Sequence, residues 1–588
     1  MAATVRSPSL PRAPALDGLR AIAVTAVLLY HAGVSWMPGG FLGVDVFFTL
    51  SGYLITSLLL SELQRSGKID MLRFLLRRAR RLLPAVFLVV LTALVISLFL
   101  PAGEAGGVRS DALSSVFYVN NWHQILGDQS YFVAAGRPSP LRHLWSLSVE
   151  EQFYLLWPLF MGFVLNKLGR KRLLQVVAGI IVASFVLMVV LYDPSGDPSR
   201  VYYGTDTRLF ALLIGAALAF VWPIGGWSST PTGARAAAFL DAMAGIGLAT
   251  LLAAFVFAEE FDTWIYRGGL VVIAIASALV IAAVIHPACH VARPLASRPM
   301  VWIGERSYGI YLWHWPVMVL SRPKLDFDAS LWILVPLQIA VTVGIAALSY
   351  RYVEMPFRRR EAQAKIRGWM EGLRPRRRLA VAGGVVAVVC GLFAWMLLPA
   401  ATARPHATQT RAAATLPKAT NTTATTPQPV DNSPPLAVGA SVMLGAADAL
   451  KAQLGPRTVV DAAVGRWPKD IATRLEAYRK AGQMPSRVIV QMGENGPIRD
   501  DDMRRVRDAL KGVSRVVFVN VHVPRSWEDD VNATLQANVG DWPQASIADW
   551  NDAAKPNLLY GDGIHPTPDG QRTYARVVAR ALRAPPTG

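Results

Sequence analysis

Two sets of reactive side chains lie at opposite ends of this chain. Near the start, in GLRAIAVTAVLLYHAG, Arg20 and His31 are eleven positions apart in an apolar run. Near the end, Ser441, Asp562 and His565 stand in polar surroundings, with Gly465 and Asn495 between them in sequence. A guanidinium and an imidazole in an apolar span are costly in lipid, so they should face a protein interior or a water-filled path. A hydroxyl, an imidazole and a carboxylate are the parts of an acyl-transfer nucleophile. One set in a membrane and the other in water points to a group moved between compartments.

The elements that must position these residues follow from periodicity. At ~100° per residue, eleven residues bring Arg20 and His31 to one helix face, separated by roughly 16 Å of rise. The plainer reading is that Arg20 reaches the headgroups and His31 sits at the opposite interface. Of the 588 residues 53% are hydrophobic, which excludes an ordinary soluble domain. The formal charge of +19 is concentrated in short loops beside apolar spans, where topology explains it better than nucleic acid does. Cys289 and Cys390 lie in or beside apolar segments without paired spacing, so no disulfide framework or cysteine metal site is expected. No metal site is expected elsewhere. The first apolar segment shows no cleavage signal and reads as a retained span.

Stretches of membrane length occur near 18–35, 41–61, 82–100, 147–166, 173–192, 207–222, 237–257, 265–286, 300–321, 330–350 and 379–398, about eleven spans. With a cytoplasmic N-terminus, the inside loops carry SGKIDMLRFLLRRARR, KLGRKR and the long RRREAQAKIRGWMEGLRPRRR, and the outside loops carry DPSGDPS and EEFD. The same parity places everything after Pro399 outside the cytoplasm. The layout is therefore a polytopic all-α membrane domain over 1–360, a basic segment with a final span over 361–398, a Thr/Pro-rich linker over 399–437 and a tail over 438–588. The linker is too poor in large apolar residues to bury a core. In the tail, short apolar runs alternate with helical stretches, the pattern of a small parallel sheet flanked by helices, with reactive residues at the carboxyl ends of the strands.

Three blocks stand at those ends: GASV at 439–442, GENG at 493–496 and DGIH at 562–565. Ser441 can act as nucleophile, His565 as its base and Asp562 as the group that fixes the imidazole, while Asn495 and the Gly465 backbone N–H can serve an oxyanion hole. Taken singly, each has a structural alternative: a helix cap for Ser441, a turn for Asn495, a polar loop for Asp562 and His565. Together, in this order, they resemble the SGNH hydrolase/transferase family over about the last 150 residues. That resemblance implies a flavodoxin-like α/β domain. The chain departs from the usual GDS at Gly439, Ala440 and Ser441, and a disturbed or inert site is the reading that this departure keeps open.

The membrane part carries the larger resemblance. ALDGLRAIAV with His31, then GVDVFFTLSGYLIT, RRARRLLPA, LRHLWSLSVEEQFYLLWP, TDTRLFALLIGA, WIGERSYGIYLWHWP and YRYVEMPFRRR are similar, in order, to the signatures of the membrane-bound acyltransferase-3 family. The resemblance implies transfer of an acyl group, usually acetyl from cytoplasmic acetyl-CoA, to a hydroxyl of an extracytoplasmic glycan. CoA is then a donor substrate, with no permanently bound cofactor. In that family the Arg-x10-His pair marks the site, a role that Arg20 and His31 inherit, and Arg78 and Arg81 fit its R-x-x-R spacing. The basic run Arg77, Arg78, Arg80 and Arg81 can pair with CoA phosphates or simply set topology. Glu150, Glu151 and Tyr154 begin a span and either hold the path's architecture or, with Tyr308, relay the acyl group. Trp145, Trp157, Trp313 and Trp315 are read as interfacial or packing aromatics.

The two halves together resemble two-domain cell-envelope O-acetyltransferases, particularly those of peptidoglycan, in a bacterial plasma membrane. The expected order is transfer from acyl-CoA, capture on Ser441, then attack by a sugar hydroxyl. Another polysaccharide, a lipopolysaccharide or a secondary metabolite are alternative acceptors, and attack by water makes the tail an esterase. A transporter with an inert glycan-binding tail is the alternative of another class. Nothing in the sequence sets an oligomeric state.

Overall fold

The computed structural model describes residues 12–358 and 434–584, apart from 101, 128, 133–136, 195, 226–232, 323–325, 328, 526 and 561–562. The expected final span at 379–398 and nearly all of the expected linker lie outside the described residues. The chain divides into a helical unit and an α/β unit, each compact by itself.

The helical unit is built from Pro14–His31, Gly43–Ser66, Met71–Ser97, Trp145–Leu191, Thr205–Val221, Ala234–Phe257, Leu270–Val284, Arg298–Val319 and Leu331–Ser349, with shorter helices between. The 47-residue Trp145–Leu191 covers two expected spans. Gly169 breaks it with φ 75°, a conformation that costs glycine little. Among the described residues, six helical stretches are long and apolar enough to cross a membrane. Pro14–His31 and Arg298–Val319 are not among them, because they carry Asp17, Arg20 and His31, and Glu305, Arg306 and His314, respectively.

Close backbone approach fixes how these helices cross. A Cβ at Gly304 would stand 1.9 Å from the Asp17 carbonyl oxygen, and one at Gly18 2.1 Å from that of Leu295. Gly52 meets Leu212 and Gly215 meets Thr49 in the same way. Small residues at such crossings allow the packing contact that substitutes for a hydrophobic driving force in lipid. Between those same two helices, Gly43–Ser66 and Thr205–Val221, Arg208 Nη2 donates to Asp45 Oδ1 at 2.6 Å, both side chains being fully buried. Removing one partner would leave an uncompensated buried charge.

The α/β unit is a five-stranded parallel sheet in the order β2-β1-β3-β4-β5: β1 Leu436–Gly439, β2 Val459–Ala462, β3 Arg487–Gln491, β4 Arg515–Val519 and β5 Ala545–Ala548. Four strands match the expected apolar runs. β5 (ASIA) is too weakly apolar to stand out, as is the helix Glu528–Gly540 before it. The first strand begins two residues inside the expected linker, because Leu436 and Ala437 are buried and pair with β2 and β3. The chain leaves β1 outward to β2 and returns past it to β3, so the topological switch point lies between β1 and β3. In open sheets of this kind, ligands bind at the carboxyl ends of the strands at that point.

Candidate acyl-transfer sites

In the tail, Ser441 follows β1 directly and begins the short helix Ser441–Gly445. Its hydroxyl and His565 Nε2 are 2.9 Å apart, a hydrogen bond across 124 positions of sequence, made with Ala440 in place of the family's usual Asp. His565 sits in a loop tied at its base. Tyr560 N donates to the His565 carbonyl at 2.7 Å, Thr567 N to that of Leu558 at 2.8 Å, and Thr567 caps the helix Pro568–Arg583 through the Gly570 N–H. Asp562 lies outside the described residues.

Gly465 has φ 75°, which favours glycine in the turn after β2. Asn495 Nδ2 donates to the carbonyl of the next residue, Arg466, at 3.0 Å, so the Gly465 turn and Asn495 are held side by side. The second amide hydrogen of Asn495 is thereby left for another acceptor. The sequence offered no reason to single out Arg466. Its guanidinium donates to the Asp461 carbonyl and to Asp461 Oδ1, both at 2.6 Å, and reaches the Gly439 carbonyl at 3.4 Å. Arg466 thus joins the end of the serine strand, the glycine turn and the asparagine loop. Asp461 also accepts from Arg474 and from Tyr478 at 2.9 Å. Burial opposes its ionisation, but these donors, Arg466 foremost, hold its carboxyl below the usual range.

Beside Asn495, Glu494 is buried, and neither carboxyl oxygen has a hydrogen-bond partner among the described residues. Burial alone pushes it up to about 8. Gly493, at φ 104°, turns this loop, and Trp527 Nε1 donates to its carbonyl at 3.0 Å.

In the membrane unit, a cavity of about 260 Å³ is lined by Arg20, Arg78, Arg81, Glu150, Tyr154 and Tyr308, together with Ser51, Ser146 and Tyr311. Six of the sequence-derived positions therefore meet at one space. Glu150 accepts from Ser51 Oγ at 2.9 Å and from Tyr154 OH at 3.0 Å, and the Arg78 guanidinium lies 4.2 Å from the centre of the Tyr154 ring. Tyr308 OH donates to the Leu82 carbonyl at 3.0 Å. Arg20 also pairs with Asp17 at 3.3 Å, while Arg77 turns away to Glu62 at 2.8 Å. Three guanidinium groups around one cavity suit the phosphate or thioester oxygens of an acyl-CoA. Glu151 and His31 do not line it.

His31 stands instead in a cluster that sequence reasoning missed. Its Nδ1 is 3.1 Å from His314 Nε2, its ring packs edge-on against Trp315, and the His143 ring centre lies 5.6 Å from that of His314. The rule that marked His31, an ionisable group within a span, applies equally to His314 in LWHWP, whereas His143 in LRHLW stands just before the expected span at 147–166. The link to the cavity is Tyr311, whose ring touches both His143 and His314 and whose hydroxyl is 2.5 Å from Ser146 Oγ. Trp145 and Trp157 are packing residues, buried among helices, as expected.

An acyltransferase domain family matches residues 14–351. Peptidoglycan O-acetyltransferase OatA of Listeria monocytogenes is 36% identical over 97% of this chain and 98% of its own. O-acetyltransferase OatA of Staphylococcus aureus strain MRSA252 is 33% identical over 97% and 96%, respectively. Among solved structures, the C-terminal catalytic domain of Streptococcus pneumoniae peptidoglycan O-acetyltransferase A, with a methylsulfonyl adduct, aligns with 26% of this chain and 94% of that one, at 24% identity and a TM-score of 0.25.

Proposed function

The chain belongs to the acyltransferase-3 family and is a membrane acyltransferase, and we propose that it O-acetylates peptidoglycan by passing an acetyl group from acetyl-CoA to Ser441 and then to a sugar hydroxyl. The observation that carries this reading is the 2.9 Å hydrogen bond between Ser441 and His565. As the Ser441 oxygen attacks the acetyl carbonyl, its proton passes to His565 Nε2, and an acyl-Ser441 ester forms when the leaving group departs with that proton. A sugar hydroxyl then gives its proton to His565 and attacks the ester, and Ser441 is released protonated. Asn495 and the Gly465 N–H are the donors for the tetrahedral oxyanion, and Asp562 is the carboxylate assigned to His565.

On the membrane side, Arg20, Arg78 and Arg81 hold the acyl-CoA and His31 is the base. Loop charge supports a cytoplasmic donor side and an extracytoplasmic tail. The relatives' names supply peptidoglycan as the acceptor. The test is base-labile acetate on purified wall and polysaccharide fractions, comparing the wild type with Ser441→Ala. Loss from peptidoglycan is expected. Loss from another glycan replaces the acceptor, and no loss from either overturns the reading.

A further inference from the structure

We propose that Tyr560 is the platform on which a sugar ring of the acceptor glycan stacks while its hydroxyl attacks the acyl-Ser441 ester; this rests on the reading of the tail as an acetyl-transferring site. The register of the loop that carries His565 places the ring. Leu559 and Pro566 form an antiparallel bridge, flanked by hydrogen bonds from Tyr560 N to the His565 carbonyl at 2.7 Å and from Thr567 N to the Leu558 carbonyl at 2.8 Å. Tyr560 and His565 are therefore the next cross-strand pair. Successive side chains of such a ladder alternate between its faces, and those of one cross-strand pair share a face, with Cβ atoms about 5 Å apart. Leu559 and Pro566 take the inner face and are buried. Tyr560 and His565 take the other, where the His565 imidazole meets the Ser441 hydroxyl at 2.9 Å.

Tyr560 is 52% exposed. Among the described residues of the tail, the other large apolar side chains left exposed are Val459 and Val464. Val459 opens β2 at the amino end of the sheet, away from the reactive residues. Val464 stands at the carboxyl end, next to Gly465 in the turn after β2. At the mouth, then, open apolar surface flanks the site, with Val464 beside the oxyanion turn and Tyr560 beside the base. A pyranose with equatorial hydroxyls has faces made of C–H groups. Such a face packs on an aromatic ring and leaves the hydroxyls at its rim for the polar groups of the site.

The consequence is a choice of nucleophile. Water can attack the acyl-Ser441 ester, giving its proton to His565 and releasing acetate. A sugar hydroxyl can attack in the same way and leave carrying the acetyl group. In both cases the Ser441 oxygen takes the proton back from His565. Water needs no platform, whereas a sugar competes with a large excess of water and must be held in place to win.

The experiment uses the full chain in detergent, with p-nitrophenyl acetate as acetyl donor and soluble, de-O-acetylated peptidoglycan glycan chains as acceptor. It reads the ratio of acetyl on the glycan to acetate released. For Tyr560→Ala the ratio should fall ~10-fold or more below wild type. For Tyr560→Phe, which keeps the face and loses the hydroxyl, it should stay within ~2-fold of wild type. An unchanged ratio in Tyr560→Ala overturns the proposal, because removing a ring that merely supports the loop slows both attacks alike. An equal fall in Tyr560→Phe also overturns it, because the hydroxyl and not the face would then hold the acceptor. Wild-type protein that releases acetate but transfers none sinks the underlying transferase reading, and the platform with it.

Discussion

The membrane unit and the tail each hold the imidazole that we propose as a base, and they hold it with different materials. In the tail, His565 sits on a loop at the mouth of a sheet, and its partner Ser441 lies at the end of the neighbouring strand. Backbone hydrogen bonds at the base of the loop and the Arg466 contacts do the positioning. In the membrane unit, His31 sits within a helix and its partner His314 is 283 positions away on another helix. There, glycine at the helix crossing does the positioning. A sheet edge tolerates local change in a loop, whereas a helix crossing transmits one methyl group along its whole length.

The sharpest way to break this comparison is to remove each base in turn. His31→Ala and His565→Ala should each lower acetylation of wall glycan ~100-fold or more. Only His565→Ala should lower hydrolysis of a small water-soluble acetyl ester by the full chain in detergent. If both variants lose ester hydrolysis, the two regions are not separable sites.

Gly304→Val probes the helix crossing. Its side chain meets the Asp17 backbone oxygen, which cannot swing aside, so a cost of about 3 kcal/mol is expected as a lowered unfolding midpoint of the membrane unit. Gly344→Ala in the helix Leu331–Ser349, where nothing lies within 4 Å, is the control expected to have little effect on stability. In the tail, Arg466→Met removes charged hydrogen bonds to Asp461 but leaves those from Arg474 and Tyr478, so about 2 kcal/mol should be lost in denaturant titration.

The smallest effect concerns Glu494. Its folded value of about 8 lies above the ordinary ~4.3 of a free glutamate. The folded state therefore binds the proton more tightly, and the stability this supplies is whole below the ordinary value and is lost as pH rises through about 8. Glu494→Gln cannot lose it. The variant should melt at least ~3 °C above the wild type near pH 8.5 and converge with it near pH 4. A gap independent of pH contradicts the assignment.

Much of the tail was legible because parallel sheets write themselves locally. A short apolar run gives a strand, and a reactive residue at its end falls at the mouth. Ser441, Asn495 and His565 could be picked out because each sits in such a block. β5 was not legible, since ASIA gains its burial from neighbours and not from its own composition. Arg466 was hidden for a related reason: a guanidinium reads as a surface charge until the buried Asp461 is placed beside it. In the membrane unit, the long apolar helices among the described residues followed from hydropathy, and Arg78 and Arg81 from the resemblance to the acyltransferase-3 family's R-x-x-R pattern. The pairing of His31 with His314 did not, because the glycine contact that creates it depends on which helices are neighbours. No periodicity in one helix encodes that.

On the proposed route, acetyl reaches Ser441 by way of the membrane unit. The most direct test is mass spectrometry of the acid-quenched full chain in proteoliposomes after addition of acetyl-CoA, without glycan acceptor. Acetyl on the Ser441 peptide is expected in the wild type and its absence in His31→Ala. Acetylation of Ser441 that persists in His31→Ala would contradict it.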